Sequence, residues 1–295
     1  GTDIHMSTIL ITGATGALGS ATIDHLLKLN TDHKIIGLAR SEEKAASLKE
    51  KGVEVRIGNY DEPTTLEAAF SGVDTLFFIS ASEIGKRVEQ HKNVVEAAKK
   101  ADVKHIVYSS FFRKNETESS PIWMIAESHL LTEKLIKESE MTYTITLNNL
   151  YMDFVPMFLG EQVIDQGMIY LPAKDEKLAA VLRDDMAEAY AKILSGTNHD
   201  NKVYNFSNSE AVSFKQIATY LSEISGKEIG YVSPDVEEYQ KTLSEAGVPE
   251  EAIGITVGFS LAIAEKELNE TSSDLENILG RKPVSLKDFL TPVYQ

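Results

Sequence analysis

The stretch Thr12-Gly13-Ala14-Thr15-Gly16-Ala17-Leu18-Gly19 decides the fold. It follows a short apolar run, Ser7–Thr12 (STILIT), and opens a segment, Ala17–Leu29, with Leu18, Ile23, Leu26 and Leu27 at helical spacing. The glycine spacing is G-x-x-G-x-x-G. A strand before and a helix after are the context in which such glycines hold a phosphate. Gly13 permits the tight turn, Gly16 lets backbone approach a pyrophosphate, and Gly19 lets the helix pack on the strand. The helix N-terminus adds unpaired N–H groups and the positive end of its dipole. Thr15, Ala17 and Leu18 complete the loop residues expected at a cofactor. The alternative is a strand–helix turn with incidental glycines.

Outward from this turn, strand and helix alternate. Strands are expected at Lys34–Ala39, Val53–Ile57, Asp74–Ile79, Lys104–Ser109 and Thr142–Leu147. Helices are expected at Glu42–Lys51, Pro63–Phe70, Glu83–Ala101 and Pro121–Ser139, with Pro63 in a first turn where its missing N–H does no harm. With the opening strand and helix this makes six strands and five helices. Near-continuous apolar strands joined by helical crossovers imply a parallel sheet covered on both faces. Right-handed crossovers leave chiefly the doubly wound α/β topology, a Rossmann domain. After Leu147 the rhythm breaks. Tyr151–Ile164 is apolar and aromatic with a proline inside. A helix over Val181–Leu194 is opened by Asp184 or Asp185, and a strand follows at Lys202–Phe206. Ser213 is placed to cap a helix ending before Gly226. The pattern gives a dinucleotide-type domain over residues 6–150, with a return of the chain near 180–207, and a smaller helix-rich substrate-side domain over 151–295 at the carboxyl edge of the sheet.

The chain has 295 residues, enough for about two domains of the usual size or one large α/β domain. Hydrophobic residues at 42% and charged residues at 25% exclude disorder as the whole description. A net charge of −16 argues against nucleic acid and against an anionic membrane surface. There is no cysteine, which removes disulfides, thiolate catalysis and cysteine metal sites. No apolar run approaches the ~20 residues that cross a bilayer. Gly1–His5 reads as an expression scar ahead of Met6, so His5 is not expected to be a ligand. A cytoplasmic protein is expected.

The connection after the second strand selects between dinucleotides. An acid there would bind the ribose 2′-hydroxyl of NAD and repel a 2′-phosphate. The sequence has Gly37-Leu38-Ala39-Arg40-Ser41 instead. Arg40 can pair with a 2′-phosphate and stack on adenine, with Ser41 and Lys44 as further candidates. NADP(H) is therefore preferred over NAD(H). Both Arg40 and Lys44 also read as solvated surface charges. Two more loops fall at carboxyl ends of strands, where such sheets bind ligands. Asn59 and Tyr60 are placed for adenine, and Ser80 and Ser82 for ribose and phosphates; plain loops are the alternative.

The TGATGALG opening, LARSEEKA, IGNYDEPTTLEAAFSGVD and RVEQHKNVVEAAKKADVKHIVYSS together resemble the NmrA-like atypical short-chain dehydrogenases. Within that group the chain is similar to the type 2 NADPH:quinone oxidoreductases and the triphenylmethane reductases. The resemblance covers residues 7 to about 155 well and the C-terminal part more weakly. The Gln90-His91-x-Asn93-Val94 block and the Asn148-x-x-Tyr151 pairing are its more specific elements. It implies NADPH as cofactor and hydride transfer to a quinone or dye. Other members of the group sense the dinucleotide redox state without catalysis. Two departures bear on substrate. The Tyr-x-x-x-Lys of many short-chain dehydrogenases is matched by Ile125 and His129, so the usual proton relay is absent and alcohol oxidation is disfavoured. The Arg-Asn that the quinone reductases carry at the end of the sixth strand is Leu147-Asn148 here.

Asn148, His129 and Tyr151 are the candidate catalytic residues on the substrate side. His129 orients nicotinamide or substrate, or is a plain helix histidine. His91 reads first as a hydrogen bond packing helix to loop. Tyr108, Ser109 and Ser110 end the fifth strand. Phe111, Phe112, Trp123, Met124, Tyr151 and Phe154 form either walls for a flat apolar substrate or a seam between the two parts. No metal-ligand spacing and no G-x-S-x-G elbow occur. The expected function is an NADPH-dependent reductase of a quinone or similar aromatic acceptor, with a non-catalytic redox sensor as the alternative and sugar-nucleotide chemistry a distant third. The helices at Glu83–Ala101 and Pro121–Ser139 are candidates to pair across a homodimer.

Overall fold

The computed structural model describes residues 7–295; the readings of Gly1–His5 and Met6 lie outside the described residues. The first half runs β1 (Thr8–Ile11), α1 (Ala17–Leu29), β2 (Lys34–Ala39), α2 (Ala46–Glu50), β3 (Glu54–Ile57), α3 (Pro63–Ala69), β4 (Thr75–Ile79), α4 (Arg87–Lys100), β5 (His105–Phe111), α5 (Trp123–Glu138) and β6 (Thr142–Asn148). Then come α6 (Val155–Leu159), α7 (Val163–Gln166), β7 (Met168–Tyr170), β8 (Lys177–Leu178), α8 (Arg183–Ser195) and β9 (Lys202–Phe206). The chain closes with β10 (Val212–Ser213), α9 (Phe214–Ser225), β11 (Gly230–Val232), α10 (Val236–Glu245), α11 (Glu250–Ala264), α12 (Asp274–Leu279) and α13 (Leu286–Tyr294).

Seven strands form one sheet in the order β3-β2-β1-β4-β5-β6-β9. β1 pairs in parallel with β2 and with β4, β2 with β3, and β4 with β5. Parallel strands covered on both faces carry apolar residues at successive positions. Accordingly Ile9, Leu10 and Ile11 of β1 and Leu76, Phe77 and Phe78 of β4 are fully buried. The order reverses between β1 and β4, which makes their carboxyl ends the place where a ligand crevice opens.

Two compact units result, each assembled from separated stretches. Unit 1 comprises the described residues up to Phe111, Glu127–Leu147 and Asp184–Tyr204. Unit 2 comprises Phe112–Ala126, Asn148–Arg183 and Asn205–Gln295. In unit 1 a cluster built on Leu10, Ile36, Phe70, Leu76, Phe78, Val94 and Ile106 fills one face of the sheet. In unit 2, α9 packs with α13 and α10 with α11. Buried amides hold its loops: Asn149 Nδ2 donates to Ser207 Oγ and to the Leu268 carbonyl, and Asn208 Nδ2 donates to the carbonyls of Ala180 and Val284.

Several local differences from expectation have physical causes. The segment at 42–51 is helical only from Ala46, because Ser41 Oγ and backbone carbonyls draw residues 42–45 into turns. The segment at 83–101 begins as a 3-10 turn, Ile84–Lys86, and becomes α-helical at Arg87. Ser213 caps α9 in a reciprocal capping box with Gln216, and Gly226 ends it in the left-handed region, as the residue types imply. Among the described residues no helix is long and apolar enough to cross a membrane, and no group of His, Asp and Glu is arranged to hold a metal ion.

Candidate functional site

A cleft of ≈ 370 Å³ opens in unit 1 at the glycine turn. Gly13, Thr15, Gly16, Ala17, Leu18 and Gly19 line it from one side, Arg40 and Lys44 from the β2–α2 connection, and Tyr60, Ser80 and Ser82 from the loops after β3 and β4. Gly13 sits at φ +57, a conformation that side chains rarely adopt. A Cβ on Gly19 would lie 2.1 Å from the Gly13 carbonyl oxygen, so only glycine lets α1 press on the turn. Gly16 caps α1 with no side-chain hydrogen bond, and no acidic residue occupies the first turn. The N–H groups of Ala17 and Leu18 therefore start the helix without a side-chain acceptor.

The electrostatics of the lining fit a polyanion. Two cations, Arg40 and Lys44, face no Asp or Glu among the lining residues. Neither is drawn into an ion pair among the described residues. A pyrophosphate at the helix N-terminus and a 2′-phosphate at Arg40 match these donors. The described residues thus fit an NADP-type dinucleotide, and no carboxylate in the lining would bind the 2′-hydroxyl of NAD.

The loop residues divide into those that face the cleft and those that build it. Thr12, fully buried, donates from its hydroxyl to the Phe77 carbonyl and accepts from the Ile79 N–H and the Tyr60 hydroxyl. Tyr60 lines the cleft but packs its ring edge-on against Phe78 in the core, while its hydroxyl donates to Thr12 Oγ1 and the Ile79 carbonyl; burial pushes that hydroxyl's pKa up. Asn59 is not in the lining: its Oδ1 accepts from the Asp61 N–H and shapes the turn. The Ser80 N–H donates to Ser109 Oγ, which gives that strand-end serine a bracing role.

The substrate-side candidates fall in both units. In unit 2, Asn148 Nδ2 donates to the Tyr151 hydroxyl at 3.2 Å. Burial raises the Tyr151 pKa, while this hydrogen bond and the Arg183 charge oppose the rise. Tyr151 and Phe154 lie with rings near parallel, centroids 6.2 Å apart, and the Arg183 guanidinium is about 5.5 Å from each. Arg183 is steadied by Asp153 at 3.7 Å. The sequence reading had no reason to select Arg183, because only the tertiary fold stacks it on those rings. In unit 1, His129 is buried, its Nδ1 2.6 Å from the Tyr108 hydroxyl and its Nε2 3.2 Å from Arg87 Nη1. A guanidinium only donates, so Nε2 accepts and the imidazole proton sits on Nδ1, facing Tyr108. Of the aromatic set, Phe112 is buried, while Met124 and Phe154 are exposed.

The chain is similar to known proteins over nearly its whole length. The NmrA-like family model matches residues 5–293. Quinone oxidoreductase 2 of Escherichia coli is 31% identical over 286 residues, covering 97% of this chain and 98% of that protein. The Citrobacter sp. triphenylmethane reductase, solved with NADP(H), is 37% identical with a TM-score of 0.89, covering 97% of this chain and 100% of that one. The NADPH-dependent quinone oxidoreductase of E. coli, solved with NADPH, gives a TM-score of 0.90 at 31% identity over the same shares. With its glycine turn, its cationic cleft and a match that spans nearly its whole length, the chain belongs to the NmrA-like family, on the side of its NADPH-dependent oxidoreductases.

Proposed function

We propose that the protein reduces a quinone or similar planar aromatic acceptor with NADPH. The observation that carries the reading is the charge of the cleft: two cations, no carboxylate, and an uncapped helix start at the sheet's switch point. NADPH supplies the hydride, two electrons and one proton, and the acceptor takes its second proton from solvent or a side chain. Backbone groups of Gly13, Gly16, Ala17 and Leu18 hold the pyrophosphate; Arg40 and Lys44 hold the 2′-phosphate. On the substrate side, Tyr151 accepts from Asn148 and keeps its own O–H to donate to an acceptor oxygen. Because burial raises its pKa, that proton stays in place at neutral pH. His129 acts through Tyr108, with its tautomer set by Arg87. The reading assigns dinucleotide binding to residues 6–150 with the return near 180–207, and the acceptor side to residues 151–295. The named relatives support both cofactor and acceptor class.

The test is a titration with NADPH and NADH, followed by menadione and a triphenylmethane dye added to the tighter complex. Micromolar NADPH binding with acceptor-dependent oxidation supports the reductase. Tight binding with no turnover on any acceptor replaces it with a redox sensor. No binding of either dinucleotide overturns both.

A further inference from the structure

We propose that Arg87 and His91 are positioning residues: from α4 they hold Ala81, a residue of the cofactor cleft, and tie it to the α5 segment that carries His129. The proposal rests on the reading of that cleft as the NADPH site. Both backbone groups of Ala81 are taken by α4 side chains. Its N–H donates to His91 Nε2 at 2.9 Å, and its carbonyl accepts from Arg87 Nε at 2.9 Å. His91 Nε2 is thus an acceptor, so the ring proton is on Nδ1, which lies 2.8 Å from Thr132 Oγ1. Thr132 in turn donates to the Ser128 carbonyl at 2.7 Å. The donors from Ala81 to Thr132 thus each meet an acceptor, and the Tyr108 hydroxyl oxygen also lies 3.5 Å from His91 Nδ1. Arg87 Nη1 adds a second rung, to Ser128 Oγ at 3.4 Å and His129 Nε2 at 3.2 Å.

The same helix secures the neighbouring loop. Gln90 Nε2 donates to Asp61 Oδ1 at 3.0 Å, and Asn93 Nδ2 donates to the carbonyl of Tyr60, a lining residue, at 2.8 Å. Arg87, Gln90 and His91 are spaced i, i+3, i+4 and share one helix face. That face reaches two of the loops that line the cleft.

Energetics separate positioning from packing. Arg87 is 8% exposed, and its hydrogen bonds all go to neutral groups, with no carboxylate partner among the described residues. A buried charge without a counter-charge is costly, and Arg87 offsets that cost only through the neutral acceptors it satisfies. A guanidinium is a costly way to fill space, and what its bond to the Ala81 carbonyl secures is the cleft wall. His91 is fully buried, and burial with the Arg87 charge beside it holds its pKa at about 3, so the acceptor for Ala81 is kept throughout the neutral range.

The experiment compares NADPH dissociation constants and thermal midpoints of the full chain for wild type, Arg87→Met, Arg87→Lys, His91→Leu, His91→Gln and the core control Val95→Ala. Arg87→Met is expected to bind NADPH roughly 10-fold more weakly, the equivalent of the lost charge-assisted hydrogen bond to Ala81, with a midpoint no lower than that of Val95→Ala. Arg87→Lys keeps the charge, loses the fork and stays weak. His91→Leu loses a similar factor, and His91→Gln, which restores an acceptor to the Ala81 N–H, recovers most of it. Val95→Ala lowers the midpoint and leaves binding unchanged. Wild-type binding within twofold in Arg87→Met and His91→Leu overturns the brace and leaves the cofactor reading standing. So does equal weakening in Val95→Ala, which would mean general loosening, or full rescue by Arg87→Lys, which would mean charge alone. Failure of the wild type to bind NADPH overturns both.

Discussion

At Arg40 an exposed guanidinium lines the cleft with no competing ion pair among the described residues. Hydrogen bonds to charged groups contribute about 1.5–3 kcal/mol, so Arg40→Ala should weaken NADPH by roughly 10- to 150-fold and leave NADH within about threefold. Equal losses for both dinucleotides would remove the 2′-phosphate from its assigned place. His91 carries a different consequence. Its folded pKa of about 3 lies below the ordinary 6.5, so between these values the unfolded chain holds a proton that the folded one lacks. Stability is then full above about pH 6.5 and falls as the solution is acidified toward pH 3. By pH 4.5 the loss relative to pH 7 is about 2–3 kcal/mol. Urea unfolding of wild type and His91→Gln across this range should show the steeper decline in the wild type. His105, whose pKa burial also lowers, leaves a common residual slope in both proteins.

Among the elements, α1 makes the sharpest forecast, because its start has no side-chain cap and is the proposed seat of the pyrophosphate. Ala17→Asp places a carboxylate in a first turn that has no acid of its own. The helix dipole should make the unliganded protein as stable or up to about 1 kcal/mol more stable. NADPH binding should fall on the order of 100-fold or more, since two anions would meet in one cradle. Calorimetric titration beside a thermal scan reads both, and retained binding would place the pyrophosphate elsewhere. The bounds of α1 and β2 were readable from the sequence residue for residue, because glycines and a polar turn bound them locally. The same holds for the Ser213 cap and Gly226. What was not readable depends on partners distant in the chain. Tyr60 was placed for adenine on its loop position, but its hydroxyl turns inward to Thr12, 48 residues away. His91 was visible as a packing histidine, yet nothing local names Ala81 or Thr132 as its partners. Arg183 carried no signal, since its value lies in two aromatic rings about 30 residues earlier.

Across the whole molecule the two units interleave in sequence, so neither is one continuous stretch. Unfolding either one withdraws the anchored ends of segments belonging to the other, which favours a single cooperative transition. The cleft lies within unit 1, whereas the single tryptophan, Trp123, belongs to unit 2. NADPH at 100 times its dissociation constant adds about 2.7 kcal/mol, a rise of roughly 5 °C for a chain of this size. Tryptophan fluorescence should report that rise in full; an unmoved tryptophan transition would show that the units melt separately. The cleft has one more consequence. Its glycine turn is locked by the close approach of Gly19 to Gly13, whereas Arg40 and Lys44, the proposed 2′-phosphate donors, stand on the short exposed connection after β2. Arg40 itself is exposed, and no hydrogen bond or ion pair of its side chain to a core residue occurs among the described residues. If Arg40 holds the 2′-phosphate as proposed, the choice between the cell's two reductant pools is set on a surface turn, and a change of that turn re-routes the protein's electron supply with little effect on what keeps it folded.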